Sequence, residues 1–306
     1  MASVSKLAVM GLEIIASVAG LSAASAQERR DASRDDQSDL SGEVSVSAVA
    51  ASDRGDDEDE AARSGLILRG GLDYERETSA GEFRLSYDSA AYLYEDDDRP
   101  DRWSNRLALR YGGEVADDFR LSARIAYATN LATLEFRSAD QAEVLTMAEY
   151  SPGDHRFRLT GGWRWRDYDD STGSESSGPF AGAEYRYRIA RDQFFSTELR
   201  YEDIDSDDLR RGYHRTILEA FYQHPLGPET QLRVGGSARW WTFDDRLAPN
   251  GERRSDSVLA PELQLLHDFR SGLLLRGRLQ YGLRESNDPA EDGDDRRATL
   301  TAGYRF

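Results

Sequence analysis

The sequence predicts an all-β protein, a transmembrane antiparallel up-and-down β-barrel, and three observations carry that prediction. The chain ends on a period-two strand: Ala298, Leu300, Ala302, Tyr304 and Phe306 fall on one face, and Arg297, Thr299, Thr301, Gly303 and Arg305 on the other. The same alternation recurs through most of the preceding chain. An N-terminal segment with the features of an export signal comes before it.

Composition is consistent with this. The 306 residues suffice for one large β-domain, and a mean hydropathy of -0.70 argues against membrane helices. After Leu21 no apolar run approaches the roughly 20 residues that a helical span needs. A barrel strand shows only every second residue to lipid, so its average hydropathy stays low. The net charge of -18 makes general nucleic-acid binding an unlikely role. With no cysteine, disulfides and thiolate metal sites are excluded, and nothing calls for a cofactor. Lys6 is the only lysine and lies in the export segment, so every later basic side chain is Arg or His. The fixed charge and planar fork of Arg suit pairing with carboxylates across a barrel wall.

Residues 1–26 read as a signal peptide, with Lys6 in the n-region, Leu7 to Leu21 as h-region (interrupted by Glu13) and Ala24-Ser25-Ala26 as the cleavage site. Cleavage after Ala26 is expected. Residues 27–41 are polar and poor in aromatics, which predicts a disordered periplasmic tail, and the barrel domain is expected over 42–306.

The strands follow in order. Glu43 to Ala51 is the weakest, with Val44, Val46 and Ala48 on one parity. Then come Leu66 to Glu75, Phe83 to Leu93, Leu107 to Val115, Phe119 to Tyr127 and Ala142 to Tyr150. Phe157, Leu159, Trp163 and Trp165 mark the clearest. Further faces run through Ala181 to Ile189, Phe195 to Tyr201, Leu218 to Tyr222, Leu232 to Trp240, Leu263 and Leu265, Leu273 to Leu283, and the terminal strand. The breaks between them alternate in kind. Short Gly-, Pro- and Asp-bearing turns lie near residues 78–81, 116–118, 151–154, 190–193, 226–229 and 270–272. Longer acidic loops are expected at Ser52 to Ser64, Glu95 to Arg102, Tyr168 to Ser177, Asp203 to Gly212, Asp244 to Ser257 and Glu285 to Arg296.

Short turns on one rim and long loops on the other is the asymmetry of an outer-membrane barrel. It also sets the count. The chain ends on the short-turn rim, and the strand at Leu66 is followed by a short turn, so an up-going strand must precede Ser52. Glu43 to Ala51 is the candidate, giving about 14 strands, with 12 if that first hairpin fails. Aromatics at strand ends (Tyr74, Phe83, Phe119, Tyr150, Phe157, Phe195, Tyr222) form the girdle expected of a lipid-facing band.

The sequence resembles Gram-negative outer-membrane barrel proteins of the porin-like type. The terminal Tyr304-Arg305-Phe306, with apolar residues at alternate earlier positions, is similar to the C-terminal signal that the barrel-assembly machinery reads in that class. The resemblance implies a bacterial outer-membrane location, contact with membrane lipid and lipopolysaccharide, and Tyr304 and Phe306 as the assembly signal. A fainter likeness, on Ser286-Asn287-Asp288-Pro289 and the final Tyr-Arg-Phe, is to the barrel portion of surface lipoprotein assembly modifiers. Those proteins usually carry tetratricopeptide helices, and no such period occurs here.

The other parity faces the lumen and is rich in arginine. Arg84, Arg124, Arg158, Arg164, Arg166, Arg186, Arg200, Arg239, Arg276 and Arg278 are the candidate selectivity residues. Acids on that parity (among them Asp73, Asp88, Glu114, Glu143, Glu184, Glu202 and Glu262) are fewer, so a net positive wall is expected. Two readings stand open: a field that favours anions, or Arg–Glu pairs that only hold the wall together. Ile67, Leu145, Met147, Ile217, Phe221 and Trp241 also fall on this parity. They line a path for a hydrophobic solute, pack against inward-folded loops, or mark bulges that shift the parity. Acidic runs at 56–60 and 96–98 lack the spacing of a calcium loop.

No nucleophile elbow, paired-His metal motif or phosphate loop is present. His214 alone falls near the long-loop mouth, close to Ser206 and Asp207 or Asp208. A non-enzymatic role is expected. The leading reading is a passive, anion-favouring channel for small hydrophilic solutes. The alternatives are an export or assembly conduit, or a closed structural or adhesive barrel.

Overall fold

A computed structural model of the chain describes residues 38–52, 63–78, 81–95, 100–134, 138–169 and 173–306. The expected signal peptide, residues 27–37 of the expected tail, and the acidic runs at 56–60 and 96–98 lie outside the described residues.

The strands are β1 (Ser38–Ala51), β2 (Gly65–Thr78), β3 (Gly81–Tyr94), β4 (Arg102–Ala116), β5 (Phe119–Leu131), β6 (Ala139–Tyr150) and β7 (His155–Tyr168). They continue as β8 (Glu175–Ala190), β9 (Gln193–Ser206), β10 (Tyr213–Pro225), β11 (Thr230–Leu247), β12 (Arg253–Asp268), β13 (Leu273–Ser286) and β14 (Gly293–Arg305). All 14 close into one antiparallel barrel in sequence order. β1 completes it by pairing with β14 from Glu43↔Arg305 to Ala51↔Arg297, which leaves no unpaired edge. The first hairpin therefore forms, and the 12-strand alternative falls.

Boundaries differ from the sequence reading chiefly in that strands run longer. β1 starts at Ser38, so Ser38 to Ser41, read as tail, belong to the ladder, with Ser38 opposite Arg76. The expected loops at Asp203 to Gly212, Asp244 to Ser257 and Glu285 to Arg296 shrink to 207–212, 248–252 and 287–292, because the strands run on past them. Both differences have one cause. Beyond the lipid band the outward face of a strand meets water, so polar side chains there no longer signal the end of backbone pairing.

The short-turn rim is tight. Asp117-Asp118 joins β4 to β5 with Asp118 at φ 59, the left-handed conformation such a hairpin requires and that Asp tolerates. The outward parity carries the apolar side chains, with Leu107, Leu159 and Leu300 each more than half exposed. In water that surface would be an aggregation liability; in a bilayer it is the lipid contact. Outward aromatics form two belts, illustrated on β7 by Phe157 near the short-turn rim and Trp163 and Trp165 nearer the other. At about 3.3 Å per residue and a tilt of roughly 40°, the span from Phe157 to Trp165 covers roughly 20 Å of membrane normal.

The terminal aromatics hold the seam. Gly42 and Phe306 exchange both backbone hydrogen bonds (2.9 and 3.0 Å), and the Phe306 ring lies where a Cβ on Gly42 would sit, 2.5 Å from Cζ. Tyr304 packs over Gly272 on the other side (φ +89). Each large ring covers a neighbour with no side chain, a pairing that offsets the strand's loss at glycine.

Candidate functional site

The inward parity makes the lumen, and its character changes along the strands. Toward the short-turn rim and through the middle it is a wall of Arg–carboxylate pairs. Toward the long-loop rim it is buried, with apolar clusters beside enclosed ion pairs such as Arg254–Asp256 (3.0 Å).

The charged wall is stitched across several strands. Glu143 on β6 receives Arg106 of β4 (3.3 Å), Arg124 of β5 (2.5 Å) and Arg164 of β7 (3.3 Å). Arg164 reaches over β8 to Glu202 of β9 (3.0 Å), which also accepts from Arg215 (2.8 Å) and the Tyr213 hydroxyl (3.2 Å). Glu202 and Glu143 are both buried, and a buried carboxylate is tolerated only with such charge-assisted donors around it. Two residues apart on one strand, side chains share a face, which is how the lumen parity of neighbouring strands can deliver Arg and Glu to one level.

Each predicted selectivity residue lies on this inward parity. Arg84 pairs with Asp73 (3.0 Å) and Glu75 (2.8 Å), Arg158 with Glu149 (2.8 Å) and Glu184 (3.0 Å), and Arg200 with Glu219 (2.8 Å) and Glu198 (3.3 Å). Arg276 pairs with Glu43 (3.5 Å), and Arg278 with Glu262. Arg166 is buried and donates to Gln141 (3.0 Å) and the Tyr213 hydroxyl (3.1 Å). Arg239 stands between Ile217 and Val258 in register. Arg186 makes no ion pair among the described residues; its guanidinium lies 3.9 Å from the Phe194 ring centroid. The structure thus gathers Arg124 and Arg164 on one carboxylate and spreads the others around the wall.

The cross-strand pairing reading therefore describes most of these side chains. A residue of charge is left over. Arg69, Arg110, Arg186, Arg188 and Arg233 share the inward parity and make no ion pair among the described residues, whereas of the acids named for the lumen only Asp88 and Glu114 lack one. Arg233 stacks on Phe221 (3.9 Å), whose ring in turn fills the space left by Gly235.

Near the long-loop rim two apolar clusters line the lumen. One holds Val49, Ile67, Ala90 and Tyr92 of β1 to β3; the other holds Ile204, Tyr213, Trp241, Phe243, Val258 and Ala260 of β9 to β12. Leu134, just past the end of β5, packs against the second cluster. Half a barrel separates β5 from β12, so the segment after β5 crosses the lumen to make this contact. Thr133 beside it is 1% exposed. This is where Ile67 and Trp241 go, and it is the packing reading that accounts for them. The sequence reading placed no loop between β5 and β6. Ala132, Thr133 and Leu134 follow the strand with no acid, Gly or Pro among them, so the charge and turn chemistry that mark the other loops do not signal this one.

His214 faces outward above the aromatic belt, between Asp203 (Nδ1, 2.8 Å) and Asp244 (Nε2, 3.2 Å). It does not meet Ser206, whose hydroxyl donates to the Glu175 carbonyl (2.9 Å).

No protein-family model matches the chain. No curated protein matches it either. Solved structures do. OmpT of Vibrio cholerae, in a form lacking loop L8, is 13% identical with a TM-score of 0.55, covering 89% of this chain and 100% of its own. The outer membrane channel DcaP of Acinetobacter baumannii is 12% identical with a TM-score of 0.55, over 89% and 97%. An anion-selective porin from Comamonas acidovorans is 11% identical with a TM-score of 0.51, over 89% and 100%. At these identities the likeness is one of fold, and the fold is that of an outer-membrane β-barrel of the porin type. The chain has that fold, a barrel closed by 14 antiparallel strands.

Proposed function

We propose that the barrel is a passive channel for small hydrophilic solutes that favours anions. The observation that carries this is the uncompensated arginine of the inner wall. Where each Arg meets a carboxylate the local field largely cancels, but Arg110, Arg186 and Arg233 have no such partner among the described residues and leave the passage net positive. The porin-type fold supports the reading at the level of architecture. In the same reading the mature protein starts at Gln27 and sits in the bacterial outer membrane among lipopolysaccharide. Tyr304 and Phe306 are its assembly signal.

The test is single-channel conductance of the refolded protein in a planar bilayer, with the reversal potential measured in a salt gradient. Stable conductance with anion preference is expected. The triple variant Arg110→Gln, Arg186→Gln, Arg233→Gln should keep the pore and lose most of the preference. Removing a matched pair, Arg278→Gln with Glu262→Gln, should leave the preference unchanged. A folded but silent barrel overturns the channel reading; a pore indifferent to ion sign overturns the preference alone.

A further inference from the structure

A cavity of about 560 Å³ opens in the lumen wall at β1 to β4, lined among others by Arg69, Asp88, Ala90, Tyr92 and Ser104. Its two central charges behave unlike the rest of the wall. Asp88 is directly opposite Arg106 of β4, the natural cross-strand partner, yet the Arg106 guanidinium turns to Glu143 (3.3 Å). On its other side Asp88 faces Gly71 of β2, which has no side chain; a Cβ there would come within 3.1 Å of the Asp88 carboxylate. Arg69 is one step along β2 on the same face, opposite Ala90, and its guanidinium lies 5.8 Å from the Tyr92 ring centroid. Arg69 and Asp88 make no ion pair with each other or with any other described residue.

A cation and an anion diagonal on adjacent strands ordinarily pair, as Arg84 and Asp73 do further along the same two strands. Here both stay apart, both face one water-accessible cavity, and the remaining charges around it are already matched: Asp73 to Arg84, and Glu43 to Arg305 (3.1 Å). The space between the two charges is kept clear by Gly71. We infer that this cavity is a binding site for small zwitterions, with Arg69 taking the carboxylate and Asp88 the ammonium group of an amino acid. A simple anion would satisfy Arg69 and be repelled by Asp88, and a simple cation the reverse; only a solute bearing both charges completes the site. Since both groups are solvated, binding is weak, roughly millimolar, as suits a site on a passage rather than a trap.

The inference rests on the reading of the lumen as a water-filled passage only so far as solute must reach the wall. Its test therefore uses binding as well as current. The refolded full barrel in detergent micelles is titrated with glycine, β-alanine, γ-aminobutyrate and 6-aminohexanoate, and with acetate and methylammonium, following ligand saturation-transfer NMR. In parallel, ion-current blockade by the same solutes is recorded in bilayers. Saturable binding is expected for one chain length of amino acid, with acetate and methylammonium at least tenfold weaker. Asp88→Asn and Arg69→Gln should each weaken the zwitterion at least tenfold, and the exchanged double variant Arg69→Asp, Asp88→Arg should recover part of the loss. Saturable binding to a barrel that carries no current keeps the site and removes the channel. Anion-selective current with no saturable zwitterion binding, or binding equally shared by acetate, overturns the site and keeps the channel. Binding unmoved by either single substitution in folded protein overturns the site as well.

Discussion

The two ends of the lumen are built from the same strands and the same alternation, yet they are different materials. On β12 the inward residues run from Val258 and Ala260 near the long-loop rim to Glu262 and Gln264 toward the other; on β11 they run from Phe243 and Trp241 to Ser237 and Arg233. On β3 the change is from Tyr92 and Ala90 to Asp88 and Arg84. Near the long loops Ile204, Tyr213 and Phe243 have almost no exposed surface; below, the side chains of Arg84, Arg200 and Arg278 are each about two-fifths exposed. A covered lumen side chain is apolar or a charge matched by a partner, as Glu202 and Asp256 are; one that water covers is more often a charge at the surface of the passage. The period of two decides in or out; the covering loop decides what "in" means.

The comparison can be broken most forcefully at the boundary between the two zones. Glu202 there compensates Arg164 and Arg215 with its side chain only 5% exposed. Glu202→Gln leaves buried guanidinium groups short of a counter-charge, and the expected loss is about 3 kcal/mol in urea unfolding followed by tryptophan fluorescence. A loss under about 1 kcal/mol would mean that water reaches this level and the boundary lies elsewhere.

Phe243→Ala comes next. It empties a side chain 1% exposed and in edge contact with Tyr213 (6.3 Å between centroids), so about 3 kcal/mol is expected by the same assay. The equivalent truncation in the wet zone, Phe194→Ala, removes a ring that stacks on Arg186 and should cost clearly less.

Leu134→Ala sharpens the comparison on the functional side. Its contact ties the segment after β5 to the opposite wall. A stability loss of roughly 1 kcal/mol is expected, with a rise in single-channel conductance as the segment leaves the lumen. Unchanged conductance in a pore-forming variant would show that the segment does not narrow the passage.

The smallest effect is expected outside the lumen. In the loop 207–212, Asp208 is held below the usual carboxylate range, chiefly by the hydrogen bonds from Arg210 (3.1 and 3.0 Å). A carboxyl whose folded pKa is depressed stabilises its loop above the ordinary value of about 3.9 and loses that contribution as pH falls through the lower folded value. Hydrogen exchange at Arg210 and Arg211 should therefore quicken relative to neighbouring loops only below about pH 4, and Asp208→Asn should remove the pH dependence.

How much was legible in advance follows from the same physics. The alternation of Leu66 to Tyr74 or Phe157 to Trp165 reports a lipid face directly, because a bilayer accepts few exceptions, so strand order, the parity of each Arg and the need for a first strand at Glu43 to Ala51 could all be read from the chain. The partner of each Arg could not. Arg164 reaches Glu202 across an intervening strand and Arg106 abandons Asp88 for Glu143, choices made by register and barrel curvature rather than by sequence spacing. Loop ends were misread wherever charge was taken as the mark of a loop, as at Asp203 to Ser206.

Legible in the sequence alone is the barrel: its 14 strands, the lipid-facing parity and the closing strand that carries Tyr304, all consequences of a local period of two in a solvent that tolerates no unpaired backbone. What only the tertiary structure decided is the interior. Which arginines are neutralised, which pair of charges is left facing a cavity, and where Leu134 seals against the far wall depend on side chains that are distant along the chain and meet because the sheet closes on itself.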